Sequence, residues 1–153
     1  MLVPLYAADR QQILDHYLRL DPDDRYLRFF SPVSDYALND FVQNHMDFEE
    51  GATFGIMIDG LLVGVGYVSR LRNDGGQLAA EAGFSIDKKH RSHGHASLLM
   101  SAIIGFCMGA KVDKLFMSCL RQNKKMQKLA QNFGLHVVVD DDEAYADLNF
   151  KEA

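Results

Sequence analysis

Between Ile86 and Ala96 the chain reads Ile86-Asp87-Lys88-Lys89-His90-Arg91-Ser92-His93-Gly94-His95-Ala96, and the apolar run of Leu98, Leu99 and Met100 follows at once. The spacing predicts the end of a strand, a basic loop, and then a helix. The first N–H groups of a helix have no intrahelical partner, and its dipole is positive at that end. Gly94 and Ala96 carry minimal side chains, so an anion can approach those N–H groups closely, while Arg91 and its neighbouring lysines add positive charge. This is the chemistry of a phosphate cradle. Turns of the same composition also occur without any ligand, so the loop alone leaves both readings standing. The GxxxxGK(S/T) loop and the GxGxxG fingerprint are both missing, which sets aside the two commonest nucleotide motifs. His90, His93 and His95 form a cluster that zinc could use, but no cysteine or carboxylate stands beside it at ligand spacing. The expectation is therefore polar donors around phosphates, or solvated loop positions, and no metal.

The elements that position this loop can be read from pattern. Asp9 is expected to cap a helix carrying Ile13, Leu14, Tyr17, Leu18 and Leu20. Asp21-Pro22-Asp23-Asp24 opens a second, delivering Tyr26, Leu27, Phe29 and Phe30. Ser34 or Asp35 opens a third, with Leu38, Phe41 and Val42. Phe54–Ile58 and Leu61–Val68 flank Asp59-Gly60, a strong hairpin signal because both central residues of such a turn need positive φ. Asn73-Asp74-Gly75-Gly76 marks another turn before a strand through Ala79–Ile86. A helix over 94–108, a strand over 114–119, a helix over 124–133 and strands over 135–139 and 145–150 complete the chain. Strands joined by crossover helices require some parallel pairing. The fold class is α/β (an α+β mixed sheet) with helices packed on it.

Several segments together resemble a known superfamily. Arg91-Ser92-His93-Gly94-His95-Ala96 is similar to the Q/R-x-x-G-x-G/A acetyl-CoA motif of the GNAT acetyltransferases, and Asn123 through Leu135 resembles their N-x-x-A/M helix ending in G-F/L. Ala80-Glu81-Ala82-Gly83-Phe84 and Asp24 through Phe30 resemble the acetyltransferase domain of bacterial Pat-type protein lysine acetyltransferases. The resemblance implies a mostly antiparallel sheet with a parallel pair at the cofactor site and helices on both faces. It also implies acetyl-CoA as acyl donor. Phe84, Ser85 and Ile86 would hold the pantetheine arm through their backbone, Arg91 to Ala96 would wrap the pyrophosphate, and Asn123 would touch the pantetheine or thioester region. Glu81 would be the general base.

The chemistry of acyl transfer agrees. A free amine with a pKa of ~10.4 is protonated at neutral pH and must lose a proton before it attacks a thioester. A carboxylate in partly apolar surroundings can take that proton, and a backbone N–H near Phe84 could polarise the thioester carbonyl. Glu81 also has a plainer reading as an exposed strand carboxylate. Where many members of the superfamily place a tyrosine as general acid, this chain has Ala130. No general acid is assigned, since a thiol of pKa ~8.5 leaves readily into water. The expected reaction is acetyl transfer to an amine, with a protein lysine as favoured acceptor and a small amine or polyamine next. The alternative is a non-catalytic acyl-CoA-binding module.

Global properties frame this reading. The 153 residues suit one domain, and a composition of 48% hydrophobic and 24% charged residues suits a packed core. Sixteen Lys and Arg against 21 Asp and Glu give a charge of −5, which argues against a nucleic-acid binder and suits a cationic partner. Cys107 and Cys119 lie in apolar stretches and read as buried thiols in a reducing compartment, with Cys119 lacking an activating histidine. The N-terminus lacks a signal-peptide pattern, and the longest apolar run, 98–110, is too short to span a bilayer. A cytoplasmic location and no membrane partner follow as expectations. Asp140-Asp141-Asp142-Glu143 reads as a solvated turn, and no feature fixes an oligomeric state.

Overall fold

The computed structural model describes residues 1–73 and 75–152; Asp74, in the expected Asn73–Gly76 turn, and the terminal Ala153 lie outside the described residues. Seven strands, β1 (Leu2–Leu5), β2 (Ala52–Ile58), β3 (Leu61–Arg72), β4 (Leu78–Ile86), β5 (Lys114–Leu120), β6 (His136–Asp140) and β7 (Glu143–Asn149), form one sheet in the order β1-β2-β3-β4-β5-β7-β6. Every neighbouring pair is antiparallel except β4 with β5. The mixed sheet with a single parallel pair is the one the resemblance implied.

Among the described residues, five α-helices cover it: α1 (Arg10–Leu18), α2 (Pro22–Phe29), α3 (Asp35–Asp40), α4 (His95–Gly109) and α5 (Lys124–Asn132). On one face, Ile13, Leu14 and Tyr17 of α1 and Leu38 of α3 bury against Leu5, Leu62, Val65 and Tyr67. On the other, Leu99, Met100, Ile103 and Cys107 of α4, with Leu129 and Ala130 of α5, bury against Val68, Ala80, Ala82, Phe84, Leu115 and Met117. Each fully buried aliphatic side chain contributes about 1.5–3 kcal/mol, so α4, with four residues entirely out of solvent, is the main clamp on its face. Gly66 lets it sit close: a Cβ there would fall 3.2 Å from Leu99 and 3.3 Å from Ile103.

The helix starts follow the capping chemistry. Asp21 accepts from the Asp24 N–H at 2.8 Å to cap α2, and Ser34 accepts from the Ala37 N–H at 3.1 Å to cap α3. Asp9 stands at the head of α1 as expected, yet its carboxylate accepts from the Tyr6 N–H at 2.8 Å and closes the single 3-10 turn before the helix. After α3 the chain widens into one π-helical turn, Phe41–His45, in which the Met46 N–H reaches the Phe41 carbonyl.

The hairpin at Asp59-Gly60 forms with both residues at positive φ, 51° and 79°. Three details differ from expectation. The first third is not purely helical: Leu2–Leu5 pairs with β2 as an edge strand, a four-residue segment containing Pro4 that is too short to show alternation and is tolerated at an edge. The last strand begins at Glu143 and ends at Asn149, with Phe150 turning away into a short 3-10 helix. Within β3, Ile56 pairs with Gly64 but Met57 with Leu62, so Val63 is an extra residue, a β-bulge that no sequence signal announced.

Candidate active site

The site begins where the sheet comes apart. Strands β4 and β5 pair only through Ala79–Lys114, Ala80–Leu115 and Glu81–Phe116. Beyond that point β4 continues to Ile86 alongside β3, β5 continues to Leu120 alongside β7, and the β5-facing edge of β4 is left without a strand partner. A cleft of about 730 Å³ opens in the fork, walled by Glu81 to Ile86, by Met117 to Cys119, by the start of α4, and by Asn123 and α5. An unpaired strand edge offers evenly spaced N–H and C=O groups to any ligand that carries amides of its own.

At the far end of the fork the loop is anchored from beneath. The β3 bulge presents the Val63 carbonyl to the Asp87 N–H at 2.7 Å and the Leu62 carbonyl to Arg19. The chain then passes through Ser92 and Gly94, both at positive φ (66° and 82°), and enters α4 at His95. Gly94 occupies the N-cap position, no side chain caps the helix, and the space where a Gly94 Cβ would point is open. The first N–H groups of a 15-residue helix thus face the cleft beside Gly94, His95 and Ala96.

Of the residues singled out from sequence, Glu81, Phe84, Ser85, Ile86, Arg91, Ser92, Gly94, His95, Ala96 and Asn123 all line this cleft. His93 does not: it is exposed outside the wall, its ring stacked on His95 at 6.1 Å and its Nδ1 3.3 Å from the His90 carbonyl. His95 has its pKa lowered, first by burial and then by the neighbouring His93, and so is neutral at neutral pH. Arg91 is less free than a phosphate ligand read from sequence. Its Nε donates to the Ile86 carbonyl at 3.1 Å, and its guanidinium pairs with the buried Asp24 of α2 at 2.9 Å. Lys88 is likewise paired with Asp21. Asn123 has a structural task that sequence did not assign, accepting from the Met126 N–H at 3.2 Å to cap α5.

Glu81 occupies the last paired position before the strands part. Along β4, Ala80, Ala82 and Phe84 enter the α4-side core, so Glu81, Gly83 and Ser85 face the other way, toward α1 and α2. Glu81 is exposed to the cleft, whose lining also includes Phe29, Phe30 and Met117. Beyond it, sequence reasoning missed a buried chain of groups. Ser85 Oγ lies 2.7 Å from His16 Nε2, and His16 Nδ1 lies 2.8 Å from Asp87 Oδ1, though out of line for a straight hydrogen bond. Arg19 meets the second Asp87 oxygen at 3.1 Å. Cys119 also lines the cleft, but burial raises its pKa with the Lys124 charge only partly offsetting, so it stays a protonated thiol. Among the described residues no three His, Cys, Asp or Glu side chains are disposed to hold a metal ion, and no helix is long and apolar enough to cross a membrane.

A forked sheet with a glycine-opened helix N-terminus at one end offers an unpaired strand edge to amides and free N–H groups to an anion. The sequence model of a family described as "Acetyltransferase (GNAT) domain" matches residues 1–136. The chain belongs to the GNAT acetyltransferase family. It is thereby an N-acetyltransferase with acetyl-CoA as acyl donor. Among solved structures, the GNAT domain of S. lividans PAT superposes with a TM-score of 0.80 at 21% identity, covering 97% of this chain and 89% of that one. A ribosomal-protein-alanine N-acetyltransferase from Brucella melitensis gives 0.76 at 15%, with 98% and 99% covered. A phosphinothricin acetyltransferase from Sinorhizobium meliloti, solved in complex with acetyl-CoA, gives 0.75 at 15%, with 97% and 87% covered. Among curated proteins, none matches the chain in sequence.

Acetyl-CoA supplies a thioester at one end of a pantetheine arm and a pyrophosphate further along. The free β4 edge and the uncapped start of α4 suit those two parts of this GNAT protein's donor. Ala130, at the position where the resemblance put a tyrosine in many members, is 1% exposed and packed into the α4-side core, so α5 sends no hydroxyl into the cleft from that position.

Proposed function

We propose that this GNAT protein, acting as one domain over residues 1–153, acetylates amines by direct attack on acetyl-CoA, with Glu81 as general base. The observation that supports the reading is the place of Glu81, exposed to the cleft on the α1- and α2-facing side of β4 at the apex of the fork. An acceptor ammonium with a pKa of ~10.4 must give up a proton before its lone pair can attack. A carboxylate exposed to the cleft can receive it, directly or through one water, at the cost of no covalent enzyme intermediate. The β4 backbone from Phe84 to Ile86 binds the pantetheine arm, and the segment from Arg91 to Ala96 binds the pyrophosphate, with the α4 N–H groups and Gly94 at its centre. Asn123 closes the pantetheine wall.

The acceptor we favour is a protein lysine, with a small amine or polyamine next, in the cytoplasm. The segments Asp24–Phe30 and Ala80–Phe84 support it through their likeness to Pat-type domains, as does the exposed rim of the cleft. Calorimetric titration with acetyl-CoA tests the donor site: saturable binding is expected, and Gly94→Glu should abolish it, since it sets a carboxylate at positive φ in an anion cradle. Glu81→Gln should lower kcat by about 100-fold or more while leaving acetyl-CoA affinity in place. A protein that binds acetyl-CoA but shows no turnover for Glu81→Gln to reduce would instead be an acyl-CoA-binding module.

A further inference from the structure

Arg28 stands apart from the other arginines. Arg10, Arg19, Arg25, Arg70, Arg72, Arg91 and Arg121 each donate at least one hydrogen bond to a protein acceptor. Among the described residues Arg28 pairs with no carboxylate and makes no hydrogen bond of good geometry: its Nε is buried without a partner, and its one polar neighbour is the Tyr17 hydroxyl, close enough to interact but poorly aligned. The guanidinium lies on the cleft wall, stacked on the Phe29 ring at 4.6 Å and laid flat over Gly83, where a Cβ would fall 2.5 Å from its central carbon. Tyr17, whose hydroxyl is also buried without a well-formed partner, backs it from α1. The Phe29 ring, the Tyr17 hydroxyl and a glycine therefore hold a cation in place without neutralising it.

Its position gives that charge a meaning. Gly83 and Glu81 are two apart on one strand, so they share a face about 6.7 Å from each other. The wall thus presents an anion and a cation side by side with no ion pair between them. A ligand complementary to both carries an ammonium and a carboxylate close together. We infer that the acceptor is an amine with a neighbouring carboxylate: the ammonium meets Glu81, and the carboxylate takes the vacant fork of Arg28 in a bidentate contact. This rests on the acetyltransferase reading and narrows its acceptor. A free amino acid and a peptide lysine flanked by Asp or Glu both satisfy it, whereas a polyamine, cationic throughout, is repelled by Arg28.

The test is a titration of CoA-saturated protein, in which the donor site is filled and no turnover occurs, and of the free protein in parallel. The panel holds amino acids with their decarboxylated amines, and lysine peptides with acidic or neutral neighbours. Wild type should bind carboxylate-bearing members about tenfold or more tightly than their matched amines, the scale of one charged hydrogen-bonded contact. Arg28→Met should bring that ratio near one without changing CoA affinity. Arg28→Lys should keep part of it, and Gly83→Ala, which displaces the guanidinium, should reduce it. Tight binding of free amino acids or of acidic peptides alone assigns the source. Equal affinity for acids and amines, an equal loss across the panel in Arg28→Met, or no binding by any member overturns the inference. Failure of CoA itself to bind is a separate result and strikes the donor-site reading instead.

Discussion

Asp87 shows how much a single side chain can hold at the root of the donor loop. Burial pushes its pKa up, but the close His16 ring and the Arg19 guanidinium hydrogen-bonded to its other oxygen together outweigh it, leaving the value below the ordinary 3.8. A carboxyl whose folded pKa is depressed contributes stability that is fully present above its unfolded value and is lost as pH falls through the folded one. Urea denaturation from pH 6 down to pH 3 should therefore show wild type losing stability below about pH 4, with a shallower acid dependence in Asp87→Asn. At this scale the sequence was legible only where chemistry is local. Gly94 and Ala96 stood out by type and spacing within one short loop, whereas Glu81 was marked only by the resemblance of its segment to Pat-type domains. His16 and Ser85 are 69 residues apart, and nothing in either segment points to the other. Arg28 was visible as part of a motif, but its lack of a partner is a property of packing alone. Arg91 was read as a ligand of phosphate, and the carboxylate of Asp24 that holds it lies far back in the chain, on α2.

At the scale of elements, the caps and turns did most of the prediction. Asp21, Ser34 and Asp59-Gly60 sit where local backbone chemistry puts them, and α4 and α5 were recognisable from apolar spacing. Strand β1 and the Val63 bulge were not, since each depends on a neighbour in the sheet rather than on its own residues. Asn123 belongs to both groups: a residue first valued for a ligand is also the cap of α5. Asn123→Ala should cost about 1 kcal/mol in a denaturant melt, the usual worth of a lost N-cap, independent of any effect on donor binding. A loss below a few tenths of a kcal/mol would mean that the tertiary contacts of Met126 and Leu129 fix the start of α5 without it.

Across the whole molecule, the sheet is two blocks, β1–β4 and β5–β7, joined edge to edge by three residue pairs. The helices α4 and α5 and the shared core must hold the blocks together past the fork. Acetyl-CoA lying between them would bind the folded state alone. At a hundred times its Kd it should add about 2.7 kcal/mol and raise Tm by roughly 5–10 °C, a shift absent in Gly94→Glu. The fold class and the single parallel pair were legible because alternating strands and helices leave few topologies open. The depth of the fork was not, because it depends on where two strands stop pairing. The bulge in β3 has one more consequence, for the length of the chain. A strand keeps its inner and outer residues by parity, so gaining or losing one residue along most of β3 would exchange the two cores downstream, turning Tyr67 toward α4 and Val68 toward α1. Val63 is where that parity is already broken by one. Removing it restores strict alternation and leaves every later side chain facing the way it does now, so within this central strand it marks the place where the lineage could have gained a residue without redrawing the sheet.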